Sequence, residues 1–132
     1  MPLPQLASLR LDWNKLRVLP AALAALPSLT ALDVSFNMLA TISASLGRLT
    51  ALRSLQLDDN GLRELPREVG QLRELRALSV QNNALRLLPA ALGRLTALRS
   101  LQLDGNPLQS PPPHVVREVR KSQGTTRTHT RE

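Results

Sequence analysis

Aspartate supplies most of the reactive chemistry available to this sequence. Asp33, Asp58, Asp59 and Asp104 carry hard carboxylate oxygens that suit a divalent cation. They are spread along the chain, however, and none stands with a second ionisable group as a general acid and base would. His114 lies in a proline-rich stretch, SPPPHVV, and His129 in a polar one, TTRTHTRE; neither has a fixed neighbour to orient its imidazole. Cysteine is absent, which removes thiolate nucleophiles and thiolate zinc sites. Gly105–Pro107 is a turn rather than a phosphate cradle. The residues therefore imply no catalysis, no cofactor and no metal. What remains is recognition chemistry, carried by carboxylates, amides and two aromatic side chains, Trp13 and Phe36.

The elements that position these residues come from a repeat. LQLDDNGLRELP, from Leu55 to Pro66, returns as LQLDGNPLQSPP, from Leu101 to Pro112. Asn14, Asn37, Asn60, Asn83 and Asn106 stand 23 residues apart without a slip. The leucines fall into columns on that period, and the unit reads LxxLxLxxNxLxxLPxxLxxLxx. The xLxLx part alternates as a short strand with one buried face does. The later apolar positions, three to four apart, suit a short helical or irregular return. One such unit cannot bury its own apolar side, but stacked neighbours share a continuous core. The asparagines then form a structural ladder. A buried amide must satisfy two donors and an acceptor, and backbone groups of its own turn and of the next unit are within reach.

This pattern resembles a leucine-rich repeat. The 23-residue form with LP after the asparagine turn is similar to the intracellular class of Ras-suppressor, Erbin and Scribble-type scaffolds, over residues 6–112 in five copies. The resemblance implies an α/β solenoid: a horseshoe segment of about five repeats, with short parallel strands on the concave face and helical or irregular return segments. It also implies a non-enzymatic scaffold whose partners belong to small-GTPase signalling, phosphatase assemblies or cell-polarity complexes.

The chain divides into a lead-in over residues 1–5, a repeat domain with its closing segment over 6–119, and a disordered basic tail over 120–132. Val115, Val116 and Val119 suit a short amphipathic turn over the last repeat. MPLPQ is too little to cover Leu9, Leu11 and Leu16, so self-association through an uncapped N-terminal edge is expected. So is the chain's being a fragment or short form of a longer array, at the limit a truncated product with no partner of its own. No apolar run approaches the roughly 20 residues of a membrane span, and MPLPQLASLRLDWN does not read as a secretory leader. With no cysteine, the expected location is cytoplasmic.

Function rests on the outward columns of the strands. The expected partner-binding face holds Arg10, Asp12, Trp13, Asp33, Phe36, Gln56, Asp58, Asp59, Gln81, Asn82, Gln102 and Asp104, with Ser35 and Ser79 among the same outward positions. It is an acidic strip inside a chain of net charge +7, whose arginines lie at other positions of the period. Such a strip suits a protein partner with a basic or mixed surface. Trp13 and Phe36 share one column and read either as a partner's anchor or as cover for the thin N-terminal end. An alternative reading has the outer arginines binding nucleic acid or anionic membrane. Those arginines are dispersed by the repeat and lack interleaved aromatics, so nucleic acid is the weaker reading.

Overall fold

The computed structural model describes residues 5–109. Five three-residue strands, β1 (Ser8–Arg10), β2 (Ala31–Asp33), β3 (Ser54–Gln56), β4 (Ala77–Ser79) and β5 (Ser100–Gln102), form one parallel sheet in the order β1-β2-β3-β4-β5. The register is the sequence period: Leu9 lies beside Leu32, Leu32 beside Leu55, Leu55 beside Leu78 and Leu78 beside Leu101. Parallel neighbours need a crossover, and here each crossover contains one short 3-10 helix: η1 (Ala21–Ala25), η2 (Ala44–Arg48), η3 (Arg67–Gln71) or η4 (Ala90–Arg94). The result is a solenoid segment of five units. The expected closing turn at Val115, Val116 and Val119, the tail from residue 120 and both histidines lie outside the described residues.

The return segments are 3-10 because their apolar residues are three apart. A 3-10 helix has three residues per turn, so side chains at i and i+3 eclipse. Leu46 and Leu49, Val69 and Leu72, and Leu92 and Leu95 therefore face the core together, and all six are buried. Pro20, Pro66 and Pro89 stand just before three of these helices with φ of −60°, −71° and −66°, the values their rings impose. In η2 the position is Ser43, whose hydroxyl accepts from the Ser45 amide at 3.2 Å. Gly70 allows η3 and η4 to approach closely, since a Cβ there would lie 2.8 Å from the carbonyl oxygen of Ala91.

Between the strand side and the helix side runs one core, including Leu29, Leu52, Leu75, Val34, Leu57, Val80, Leu39, Leu62 and Leu85. The first unit shares it incompletely. Leu6, Leu9, Leu11, Leu16, Leu19 and Leu26 are only partly buried, whereas their counterparts one repeat on (Leu29, Leu32, Val34, Leu39, Ile42 and Leu49) are buried.

The asparagine ladder ties each unit to the one before it rather than the one after. Asn37 accepts from the Leu16 amide at 3.0 Å and donates to Leu11 O of the preceding unit and to Val34 O and Ser35 O of its own turn. Asn60 repeats the set with Leu39 N, Val34 O, Leu57 O and Asp58 O. Asn106 does so with Leu85 N, Val80 O and Leu103 O. Asn83 accepts from both Asn60 N and Leu62 N and donates to Leu57 O, Val80 O and Gln81 O. Asn14 bonds only Leu11 O and Asp12 O of its own turn. The direction follows from chain geometry: the strand ends as the Asn side chain turns inward, toward backbone already laid down. Asn83→Ala strands buried donors and acceptors in two units, so it should cost upward of about 3 kcal/mol, while Asn14→Ala, at an exposed position, should cost less than about 1 kcal/mol. Urea unfolding of the two variants measures the difference; equal losses would show that the ladder is not what couples the units.

Candidate functional site

The outward side of the sheet carries two shallow hollows. One, of about 270 Å³, is lined by Ser8, Arg10, Ala31, Asp33, Ser54 and Gln56 together with the backbone edge at Leu9 and Leu32. The other, of about 250 Å³, is lined by Ser54, Gln56, Ala77, Ser79, Ser100 and Gln102 with Leu55 and Leu78. Small residues alternating with polar ones explain the hollows: Ser8, Ala31, Ser54, Ala77 and Ser100 form one register column, and Arg10, Asp33, Gln56, Ser79 and Gln102 another.

Past the strand ends, the carboxylates divide by what they hold. Asp12 is bound by Arg10, Nε to Oδ1 at 3.3 Å and Nη2 to Oδ2 at 3.0 Å. That bond from the guanidinium holds the Asp12 carboxyl below its ordinary range and raises Arg10. Asp58 works inside the fold: its Oδ1 accepts from Ser79 Oγ at 2.6 Å and from the Gln81 amide at 2.8 Å, joining adjacent units. Asp33 accepts from the Ser35 amide two residues on, at 3.0 Å. Asp59 accepts from Asn82 Nδ2 at 3.3 Å, and Gln81 Nε2 donates to Gln102 Oε1 at 3.2 Å. Asp104 makes no side-chain bond among the described residues and is half-buried. Ser35, expected to face outward, is 5% exposed and accepts from the Asp58 amide. It is the serine counterpart of Asp58, one unit earlier, and links neighbours in the same way. The strip is thus less acidic than its composition: Asp33, Asp59 and Asp104 present charge, Asp12 is neutralised, and Asp58 is a cross-brace. Among the described residues no three His, Asp or Glu side chains converge as metal ligands.

The column of Trp13, Phe36, Asp59, Asn82 and Gly105 shares a backbone feature. Trp13, Phe36, Asp59 and Asn82 have φ of 60°, 57°, 54° and 56°, and Gly105 of 82°. Every unit turns out of its strand through the left-handed region just before the ladder asparagine. Asp, Asn and Gly enter that region readily, and at Gly105 a Cβ would collide with Asn82. For Trp and Phe it costs about 1–2 kcal/mol each. The amides of Trp13 and Phe36 donate to Ser35 O and Asp58 O of the next unit, so the rings are spaced by the backbone ladder, about 4.8 Å per strand. They stack face to face, with centroids 4.0 Å apart and planes 4° from parallel. Trp13 remains 71% exposed and Phe36 38%, so little burial offsets the strain. Asp-Asn, Asn-Asn and Gly-Asn at 59–60, 82–83 and 105–106 are the sequence signal for this conformation.

Two family models match the chain, one described as a leucine-rich repeat region over residues 40–120 and the other as a leucine rich repeat over residues 4–62. The chain belongs to the leucine-rich repeat family. Solved structures agree. A leucine-rich repeat protein of Leptospira interrogans is 36% identical, with a TM-score of 0.72 over 82% of this chain and 27% of its own. The functional domain of InlJ from Listeria monocytogenes, which includes a cysteine ladder, is 31% identical with a TM-score of 0.66 over 76% of this chain and 20% of its own. The plant peptide hormone receptor RGFR1, solved in complex with RGF2, is 30% identical with a TM-score of 0.72 over 80% of this chain and 18% of its own. No curated protein sequence matches significantly. This leucine-rich repeat chain therefore spans about a fifth to a quarter of the structures it resembles. No helix among its described residues is long and apolar enough to cross a membrane.

Two measurements check the assignments within this column set. Asp58→Ala should destabilise the fold by about 1–3 kcal/mol, by stranding the Gln81 amide and Ser79 hydroxyl. Trp13→Asn, which installs the residue found at position 82, should change stability by less than about 1 kcal/mol, because lost stacking is offset by relieved strain. A large loss for Trp13→Asn would make the ring a structural cap. The Arg10–Asp12 bond has its own signature. A carboxyl depressed in the folded state stabilises the fold above its unfolded pKa, and that contribution is lost as pH falls through the depressed value. Arg10→Ala should move the Asp12 titration, followed by carbon-detected NMR, upward toward the ordinary carboxylate range.

Proposed function

We propose that this leucine-rich repeat chain is a non-enzymatic protein-binding module that recruits a partner with a basic or mixed surface through the outward face of its strands. The carrying observation is the segregation of charge. Asp33, Asp59 and Asp104 remain available on that face, and its one arginine, Arg10, is already held by Asp12. Exposed Arg17, Arg48, Arg63, Arg73, Arg86 and Arg94 lie at other positions of the period. A face of one sign framed by the other orients an incoming protein and speeds its encounter. The two hollows add the relief into which a partner's side chains fit. A scaffold in cytoplasmic signal transduction fits this reading, with a small GTPase, phosphatase or polarity component as partner. So does self-association through the partly buried leucines of the first unit.

The second reading, an anion-binding outer surface, draws on Arg53 and Arg76, which occupy one column in adjacent units and make no ion pair among the described residues. Charge reversal separates the two. Asp33→Lys with Asp104→Lys leaves the Asp58 brace intact. It should slow capture of a basic protein partner by roughly tenfold at low salt, with the difference shrinking as salt is added. Unchanged capture by that variant, together with loss in Arg53→Glu/Arg76→Glu, would hand the function to the arginine column.

A further inference from the structure

The strained, exposed aromatic pair carries an inference of its own, which rests on the strand face being the recognition surface. The left-handed column does not call for aromatics: it also holds Asp59, Asn82 and Gly105, whose conformational preferences suit it better than those of Trp13 and Phe36. Strain kept at an exposed position is a mark of function. The chemistry of that function is legible around the rings. One face of the Trp13 indole lies on Phe36, and the residue remains 71% exposed, which leaves indole surface for a ligand. Aromatic faces are electron-rich and attract cations, guanidinium most of all, because it is planar and stacks. The residue before Trp13 is Asp12, whose two carboxylate oxygens already grip a guanidinium as a fork, that of Arg10, itself 73% exposed. Asp33, in register beside Arg10, lines the adjoining hollow. A planar acceptor and a bidentate carboxylate, with a further carboxylate at Asp33, are the parts of an arginine site.

We propose that the Trp13–Phe36 stack is an arginine-binding platform: a partner protein's extended segment lays an arginine guanidinium on the exposed indole of Trp13 and takes the Asp12 carboxylate over from Arg10. Arg10 is then an internal competitor that holds the site closed to weaker cations. Lysine fits poorly, since its ammonium neither stacks nor spans both oxygens.

The test exploits Trp13 as the single tryptophan of the chain. The full chain is titrated with a blocked Gly/Ser nonapeptide carrying two arginines, and with versions carrying lysine or citrulline in their place. Binding is followed by Trp13 fluorescence and by anisotropy of the labelled peptide. The arginine peptide should perturb the fluorescence saturably, and the uncharged citrulline peptide should not. Trp13→Asn should weaken the arginine peptide roughly tenfold and Trp13→Tyr much less. Arg10→Ala should tighten it by about two- to fivefold, by freeing Asp12. Equal binding of the citrulline peptide, or an unchanged dissociation constant in folded Trp13→Asn, would overturn the platform. Loss of arginine-peptide binding in Trp13→Asn but not in Asp33→Asn/Asp104→Asn would keep the platform while removing the wider acidic face. The converse pattern would keep the face and remove the platform.

Discussion

Everything in this molecule depends on backbone bonds made at a stride of one repeat. A three-residue strand has too few ladder bonds to hold a sheet by itself. Here the ladder continues beyond the strand: Leu57 N reaches Ser79 O, Asp59 N reaches Gln81 O, and the asparagine amides close the groups left over at the turn. Because Asn37, Asn60, Asn83 and Asn106 also satisfy backbone of the preceding unit, the polar satisfaction of one repeat is completed by its neighbour. Buried polar groups left open cost more than the same groups paired return, so the asparagine bonds add to the dependence on neighbours that the shared leucine core already sets up.

That stride also sets the geometry of recognition. Side chains in one column are held a strand spacing apart whatever their identity, so neighbours in adjacent units meet: aromatic rings stack, and polar groups such as Asp59 and Asn82 hydrogen-bond. Trp13 and Phe36 stack with centroids 4.0 Å apart and planes 4° from parallel, as the stride of one strand allows. The same spacing turns Ser35 and Asp58 into braces, because a short acceptor in that column reaches the amide or hydroxyl of the next unit.

Much of this was legible before any coordinates. The period, the strand register and the core columns follow from leucine spacing, since alternation and three-residue spacing each have one geometric meaning. The return segments were open between helical and irregular, and LxxL resolves to 3-10 only once five-residue lengths are known. The ladder's direction was not legible, because a 23-residue stride is symmetric until the turn shows which way the amide points. Nor was the fate of the carboxylates. Asp33 stands four residues before its ladder asparagine and Asp58 two before its own; the one caps its own turn, and the other bridges units because the Ser79 hydroxyl and Gln81 amide meet it. Composition counts charges, and only geometry says which are already spent.

The informative residues of a repeat are therefore its departures. Where a column repeats, as at the leucines and asparagines, the shared task is the stack itself, and every copy is explained by it. Where a column varies while its backbone stays constant, each residue has its own reason, as at Gly105, where a Cβ would collide with Asn82. The left-handed column is such a place: five units share one conformation and hold Trp, Phe, Asp, Asn and Gly in it. Three of these suit the conformation and two oppose it, and the two that oppose it are adjacent, stacked and exposed. The strain borne twice in neighbouring units is offset within the fold only by the stack itself and by the partial cover of Phe36, which sets this pair apart from the rest of its column.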